Sequence, residues 1–461
     1  MQNPGTGNAS ASINPATGEA LAHWPYADPP QIERCIEAAA SAAAAWRRVP
    51  PQERGVMLRA TAAGLRARKA ELARLVTLEM GKPITEAEAE VEKSAWNCDY
   101  VAEQGPGWLA DDVVPTQARS SYVSHLPLGV VLSILPWNFP VWQVFRCAAG
   151  ALMAGNSLLL KHAPNVQGCA ELITRIIAEA GAPAGLFQNL HAPVEAIAGI
   201  IADRRVAAVT LTGSPAAGGK VAAQAGAACK KSVLELGGSD AFIVLADADL
   251  PAAVAAAVRA RFTNCGQVCL AAKRFFIEAR IAEEFTARFT AAATALRSGD
   301  PLHRDTQIGP MARADLREQL EAQVASSVKS GARVLAGATR GDAPGWFYAP
   351  TVLDAVTPDM PVVAQETFGP VAALQVARDA DEAVAMTNAS EFGLSTMLWT
   401  ADLERAARLA RRFEVGGVFV NSVTASDPRL PVGGVKLSGY GRELGRTGML
   451  ELCNLQTVWM A

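Results

Sequence analysis

The chain has 461 residues, half of them hydrophobic and 19% charged, with a formal net charge of −3. That length predicts two or three domains with a sizeable core. The near-neutral balance, without long blocks of one sign, argues against nucleic acid as a partner. No run of about 18 apolar residues predicts a membrane span, and polar, Gly-rich Met1 to Ser10 lacks the features of a secretory signal. The eight cysteines (35, 98, 147, 169, 229, 265, 269 and 453) form no Cys-x-x-Cys, and the five histidines show no metal-ligand spacing, so a reduced cytoplasmic setting and no metal are expected.

In chain order, residues 30–104 read as helices, with apolar residues at helical spacing in Ala-rich stretches such as Arg54 to Leu78. Tyr122 to Leu126 alternates and Gly129 to Ile134 is an apolar run, which predicts two strands with a turn at Pro127 and Gly129. Strands at 157–161, 186–190 and 206–211 then alternate with helices at 168–180, 194–202 and 216–227. That rhythm predicts βαβ units and a parallel sheet. A second run follows from Glu235, with strands at 241–245 and 274–278 and helices at 250–264, 281–296 and 316–330. Two tandem runs predict an α/β fold of two doubly wound domains with a cleft between them. No solenoid period is visible.

Within this frame three segments carry chemistry. Cys269 closes Asn264-Cys265-Gly266-Gln267-Val268-Cys269, a candidate nucleophile. Glu235 precedes Gly237 and Gly238 and is flanked by apolar Val233-Leu234 and Ala241 to Val244, so burial should raise its pKa toward neutrality. Gly213, Ser214 and Gly218 follow a predicted strand and open a predicted helix, where backbone N–H groups can bind pyrophosphate. Their spacing is neither Gly-x-Gly-x-x-Gly nor a P-loop. A thiol, a carboxylate and a phosphate cradle together indicate covalent catalysis on a carbonyl with a nucleotide cofactor.

These segments, with Ile13 to Glu19, Gly81-Lys82-Pro83, Pro136-Trp137-Asn138-Phe139-Pro140, Gln365 to Pro370 and Gly433 to Gly439, resemble the aldehyde dehydrogenase superfamily in order and along nearly the whole chain. Phe139 to Arg146 and Lys161 to Val166 narrow the resemblance to bacterial succinate-semialdehyde dehydrogenases. The resemblance implies that Cys269 forms a thiohemiacetal and then a thioester, that Asn138 and the Cys269 N–H hold the oxyanion, and that Glu235 activates water. It implies NAD or NADP bound by Trp137, Lys161, Gly213, Ser214, Gly218, Glu366 and Phe368. Pro164 stands where NAD-preferring members carry Glu, which removes one barrier to NADP. Arg146 would bind a distal carboxylate of the aldehyde.

The family's second substrate arginine is absent, since Thr263 holds its place. Arg261, two residues earlier, and Ser426 with Arg429 are the substitutes to weigh. The resemblance also implies a dinucleotide-binding domain at 1–118 and 136–234 and a catalytic domain at 235–425. A β-hairpin oligomerisation flap is implied at 119–135 with 450–461, in a homodimer or homotetramer. The expected reaction is oxidation of succinate semialdehyde to succinate, with a broader ω-semialdehyde or aliphatic aldehyde dehydrogenase as the alternative. Glu235 disfavours a CoA-acylating enzyme, and the intact set Cys269, Glu235 and Asn138 disfavours a non-catalytic use of the fold.

Overall fold

Four helices, Pro29–Trp46, Pro51–Ala67, Lys69–Met80 and Ile84–Trp108, form the N-terminal layer of the computed structural model, which describes residues 8–340 and 344–461. The first helix is fixed by a reciprocal cap. The Asp28 carboxylate accepts the Gln31 N–H and the Gln31 side chain accepts the Asp28 N–H, with Pro29 opening the helix. The third ends at Gly81, whose φ of 82° suits a residue without Cβ. Leu58, Leu65, Leu72, Val76 and Val91 from this layer share one core with Phe145, Leu152 and Leu158. The chain enters this layer through an antiparallel hairpin, Ala9–Ile13 on Ala20–Pro25, around the Asn14 to Gly18 turn.

Behind the helices lies a six-stranded sheet. Its order is Gly439–Tyr440, Lys231–Glu235, Val206–Thr212, Val130–Ile134, Ser157–Lys161 and Phe187–Asn189. All neighbours are parallel except the short Gly439–Tyr440 edge. A second sheet has seven strands: Arg333–Ala336, Thr351–Asp354, Val371–Ala377, Ala272–Glu278, Asp240–Val244, Ser395–Trp399 and Gly417–Val420. Only its Arg333–Ala336 edge runs antiparallel. Central strands carry runs that are apolar on both faces, as Val130-Val131-Leu132 and Phe242-Ile243-Val244 show, in keeping with parallel sheets covered on both sides.

One expectation for this region is corrected. Ser120–Pro127 and Val130–Ile134 are both strands, but they do not pair as a hairpin. Val130–Ile134 turns away into the centre of the six-stranded sheet, where its apolar side chains are buried on both faces. Ser120–Pro127 pairs instead with Cys453–Met460 over eight residues and with Asp112–Val113 on its other side. The segment 119–135 is therefore divided between two sheets. Among the described residues no helix is long and apolar enough to cross a membrane.

The topology positions the site. The loops that follow Val130–Ile134, Ser157–Lys161, Val206–Thr212 and Lys231–Glu235 all leave the carboxyl ends of parallel strands, where α/β sheets bind ligands. They bring Trp137 and Asn138, Lys161, Gly213, and Glu235 to one edge. The chain then crosses to the second sheet through Gly237 and Gly238. A Cβ at Gly237 would crowd the Glu366 carboxylate, so any side chain on the crossing backbone would have to displace it.

Candidate active site

The nucleophile segment follows helix Leu250–Phe262 and is locked in an unusual conformation. Asn264 and Cys265 hold φ of 53° and 54°, and Gly266 holds 70°, three left-handed residues in succession. Such a turn persists only when its surroundings over-determine it. The Asn264 side-chain amide donates to the Asn138 carbonyl at 2.9 Å, and its backbone N–H donates to Glu86 at 2.8 Å. Gln267 accepts the Ala312 N–H at 2.9 Å. Arg261 lies beneath the turn and donates to the carbonyls of Ala272, Gly266 and Gly369 at 2.7 to 2.9 Å.

That arrangement overturns the expectation for Arg261. It is fully buried and absent from the walls of the substrate cleft, with two of its nitrogens committed to main-chain oxygens. A guanidinium beneath buried turn carbonyls satisfies the backbone rather than a ligand. Arg429 also lies away from the cleft lining. It is exposed, paired with Asp427 at 2.7 Å and placed over the Trp96 ring.

Cys269 emerges from this turn half-buried, where two clefts meet. Burial pushes its thiol up to about 11, while Arg146 and Lys273 pull it back by favouring the thiolate. Among the described residues its backbone N–H has no acceptor. Asn138, buried nearby, gives one amide hydrogen to the Gln267 carbonyl at 3.0 Å and keeps the other uncommitted. Lys273 was not anticipated from sequence. Its ammonium is fully buried, donates to the carbonyls of Cys269 at 2.7 Å and Val268 at 3.2 Å, and lies 3.2 Å from Glu366. It ties the nucleophile loop to the Gln365 to Pro370 segment.

Glu235 ends its strand in a buried setting. Burial is the main cause that raises its carboxyl to about 8, with Arg146 lowering it, Glu443 raising it and Arg442 lowering it. The direction agrees with the expectation from its apolar flanks. Its Oε1 has no hydrogen-bond partner among the described residues, and a Cβ at Gly433 would lie 2.6 Å from it. A buried carboxylate with an unused oxygen, close to the nucleophile, is available for proton transfer.

The first cleft is lined by Trp137, Gly213, Ser214, Gly237, Glu366 and Phe368, beside Cys269. The Trp137 and Phe368 rings meet edge to face at 5.7 Å. Ser214 caps helix Pro215–Ala227 and accepts the Ala217 N–H, while its own N–H has no acceptor among the described residues. The Gly213 N–H is spent on the Glu235 carbonyl at 3.0 Å, so Gly213 shapes the turn rather than offering a donor. Gly218 lets the helix close on Leu236, since a Cβ there would lie 2.6 Å from the leucine methyls. Lys161 ends its strand without a side-chain bond or ion pair among the described residues, and burial lowers its ammonium despite Glu195 nearby. Pro164 opens a short 3-10 turn and places no carboxylate there. A helix start with a free N–H, an unspent lysine and an aromatic pair fit a dinucleotide. No cluster of three or more His, Cys, Asp or Glu side chains able to hold a metal occurs among the described residues.

The second cleft is lined by Lys93, Phe139, Trp142, Arg146, Thr263 and Ser426, again beside Cys269. Arg146 is buried and forms an ion pair with buried Glu443, and donates to Thr212 at 3.2 Å. Glu443, nearly 300 residues away in sequence, gave no signal that would have linked it to Arg146. Ser426 is buried and accepts hydrogen bonds from Trp142 Nε1 and from Lys93 Nζ, each at 3.0 Å. Lys93, on helix Ile84–Trp108, also lies 4.3 Å from the Trp142 ring centre.

Comparison with known proteins places this geometry. The sequence model of the aldehyde dehydrogenase family matches residues 3–458. A protein of Escherichia coli named succinate semialdehyde dehydrogenase for NAD(P)+ is 51% identical over 448 residues, 97% of each chain. A probable NADP+ succinate-semialdehyde dehydrogenase of Synechocystis sp. is 47% identical over 98% of this chain and 100% of that one. The crystal structure of succinic semialdehyde dehydrogenase from Streptococcus pyogenes with NADP+ superposes with a TM-score of 0.96 at 34% identity, covering 98% of this chain and 99% of that one.

Proposed function

We propose that this chain, which belongs to the aldehyde dehydrogenase family, oxidises succinate semialdehyde to succinate with NAD or NADP. The observation that carries the reading is the position of Cys269 at the junction of two clefts. One cleft fits a dinucleotide. The other carries the cationic side chains of Arg146 and Lys93, suited to an aldehyde with a distal carboxylate. The names of relatives 51% and 47% identical support the substrate and the use of either cofactor.

The chemistry follows from the side chains. The Cys269 thiol releases its proton to solvent in the cleft, and the thiolate sulfur bonds to the aldehyde carbon as the carbonyl π pair moves onto oxygen. The Cys269 N–H and the spare Asn138 hydrogen stabilise that oxyanion. Trp137, Ser214, Lys161, Glu366 and Phe368 would hold the dinucleotide, with Gly213 and Gly218 shaping the turn beneath it. A nicotinamide bound there supplies the acceptor for the hydride. Loss of hydride from the former aldehyde carbon leaves a thioester on Cys269. Glu235 takes a proton from water, the water oxygen attacks the thioester carbon, and the carbon–sulfur bond breaks to give succinate.

Support for a homo-oligomer comes from the three-stranded sheet. Leu455, Trp459 and Met460 on its edge strand and Val113 on the other side are exposed. Exposed apolar side chains on an open edge strand fit a second copy of the chain. Eight unpaired cysteines agree with a reducing cytoplasm.

The test is cofactor reduction across an aldehyde panel with wild type and Arg146→Leu. Succinate semialdehyde should give the highest kcat/KM in wild type. Arg146→Leu should lower it more for succinate semialdehyde than for butanal, by about 2–5 kcal/mol in transition-state binding. A wild type that treats the two aldehydes alike supports the broader aliphatic reading instead.

A further inference from the structure

Arg146 faces the substrate cleft with its charge already balanced by Glu443. Thr263 holds the place where a second arginine was expected. The cleft nevertheless contains one inner cation whose charge is not balanced. Lys93 has no carboxylate within 4 Å among the described residues, and its ammonium rests on the Trp142 ring and on Ser426 Oγ. The acids beside it are engaged elsewhere. Glu90 pairs with Lys82 and accepts the N–H groups of Val141 and Trp142, Glu86 accepts the Asn264 N–H, and Asp427 pairs with Arg429.

Ser426 supplies the second observation. Its oxygen accepts from both Lys93 and Trp142 Nε1, which uses both lone pairs. The hydroxyl hydrogen must then point to a further acceptor, and the cleft is the space open to it. The remaining ammonium hydrogens and a hydroxyl hydrogen, which the indole N–H orients by its bond to Ser426 Oγ, form a site for an oxyanion. We propose that Lys93, with Ser426, binds the distal carboxylate of the aldehyde and provides the charge that Thr263 does not. This rests on the reading of the substrate as a carboxylated aldehyde. It makes Lys93 a specificity-determining residue, with Arg146 the paired cation whose charge acts on the Cys269 thiol. Burial pushes the Lys93 ammonium down to about 8, with Arg146 and Lys82 adding to that push and Asp427 and Glu90 opposing it.

The experiment measures kcat/KM for succinate semialdehyde and for butanal in wild type, Lys93→Met, Lys93→Gln, Lys93→Arg and Arg259→Met. The ratio of the two values is read, so losses common to both substrates cancel. The ratio should fall about 30-fold or more in Lys93→Met and Lys93→Gln, through KM rather than kcat, and recover in Lys93→Arg. A ratio within threefold of wild type in both uncharged variants overturns the proposal. So does a fall confined to Arg259→Met, which would place the selecting charge at the exposed rim of the cleft. A wild type with no preference for succinate semialdehyde removes the substrate reading itself, and the assignment of Lys93 with it. Butanal turnover in each variant shows that the fold and Cys269 remain competent.

Discussion

Glu235 shows what burial does to one side chain. A carboxylate removed from water holds its proton more tightly, and its pKa rises. Only the deprotonated form can take a proton from water, so hydrolysis of the thioester should accelerate as pH rises and level off above about 8. In Glu235→Gln that inflection should vanish, and a burst of reduced cofactor should precede a slow steady state. Single-turnover and steady-state rates from pH 6 to 10 check this. If the first turnover slows as much as the steady state, Glu235 acts before the thioester forms.

Pro164 is the second residue with a testable consequence. Where a carboxylate would repel a 2′-phosphate, proline offers none. NADP should therefore be used with a kcat/KM within about a thousandfold of NAD, a window of roughly 4 kcal/mol. A larger preference for NAD would show that another group, such as Glu195 near Lys161, excludes the phosphate. Single residues were legible in the sequence where their neighbours are local. The apolar flanks of Glu235 announced its burial, and the strand before Lys161 announced its place at a sheet end. Arg146 was legible through the resemblance as a residue for a distal carboxylate, but Glu443 and Thr212 come to it only through the fold.

At the scale of elements, the left-handed turn over Asn264, Cys265 and Gly266 is the feature on which the nucleophile depends. Arg261 holds it by satisfying three carbonyls that no water reaches. Arg261→Met should strand those acceptors, at about 1–3 kcal/mol each. The melting temperature should fall, and activity should be lost equally for charged and uncharged aldehydes. A loss specific to succinate semialdehyde would return Arg261 to the substrate site. The sequence offers Arg261 only as a substitute to weigh, because separation from a missing residue says nothing about which way a helix end faces. The hairpin was misassigned for a related reason. Pro127 and Gly129 mark a break between strands, but a break does not name partners, and the partner of Ser120–Pro127 lies more than 300 residues on. The βαβ rhythm succeeded because right-handed parallel crossovers leave few alternatives.

Taken whole, the described residues form two mostly parallel sheets joined across Gly237 and Gly238, an antiparallel three-stranded sheet whose edge is open, and two short two-stranded pairs. Neither Lys93 nor Lys273 announced itself in the sequence, since each becomes functional only when helix, loop and sheet ends converge. The open edge predicts assembly. Trp459→Glu places a charge on the exposed apolar strand and should reduce the mass measured by light scattering to that of a smaller assembly or monomer. An unchanged mass would locate the interface elsewhere. The central claim, that Cys269 carries the succinyl group of succinate semialdehyde as a thioester, is tested most directly by mass spectrometry of Glu235→Gln mixed with that aldehyde and NADP. The expected result is one added succinyl group per chain, on the peptide that contains Cys269, and none in the same variant with Cys269→Ala. An unmodified chain during turnover, or an adduct on another cysteine, would contradict it.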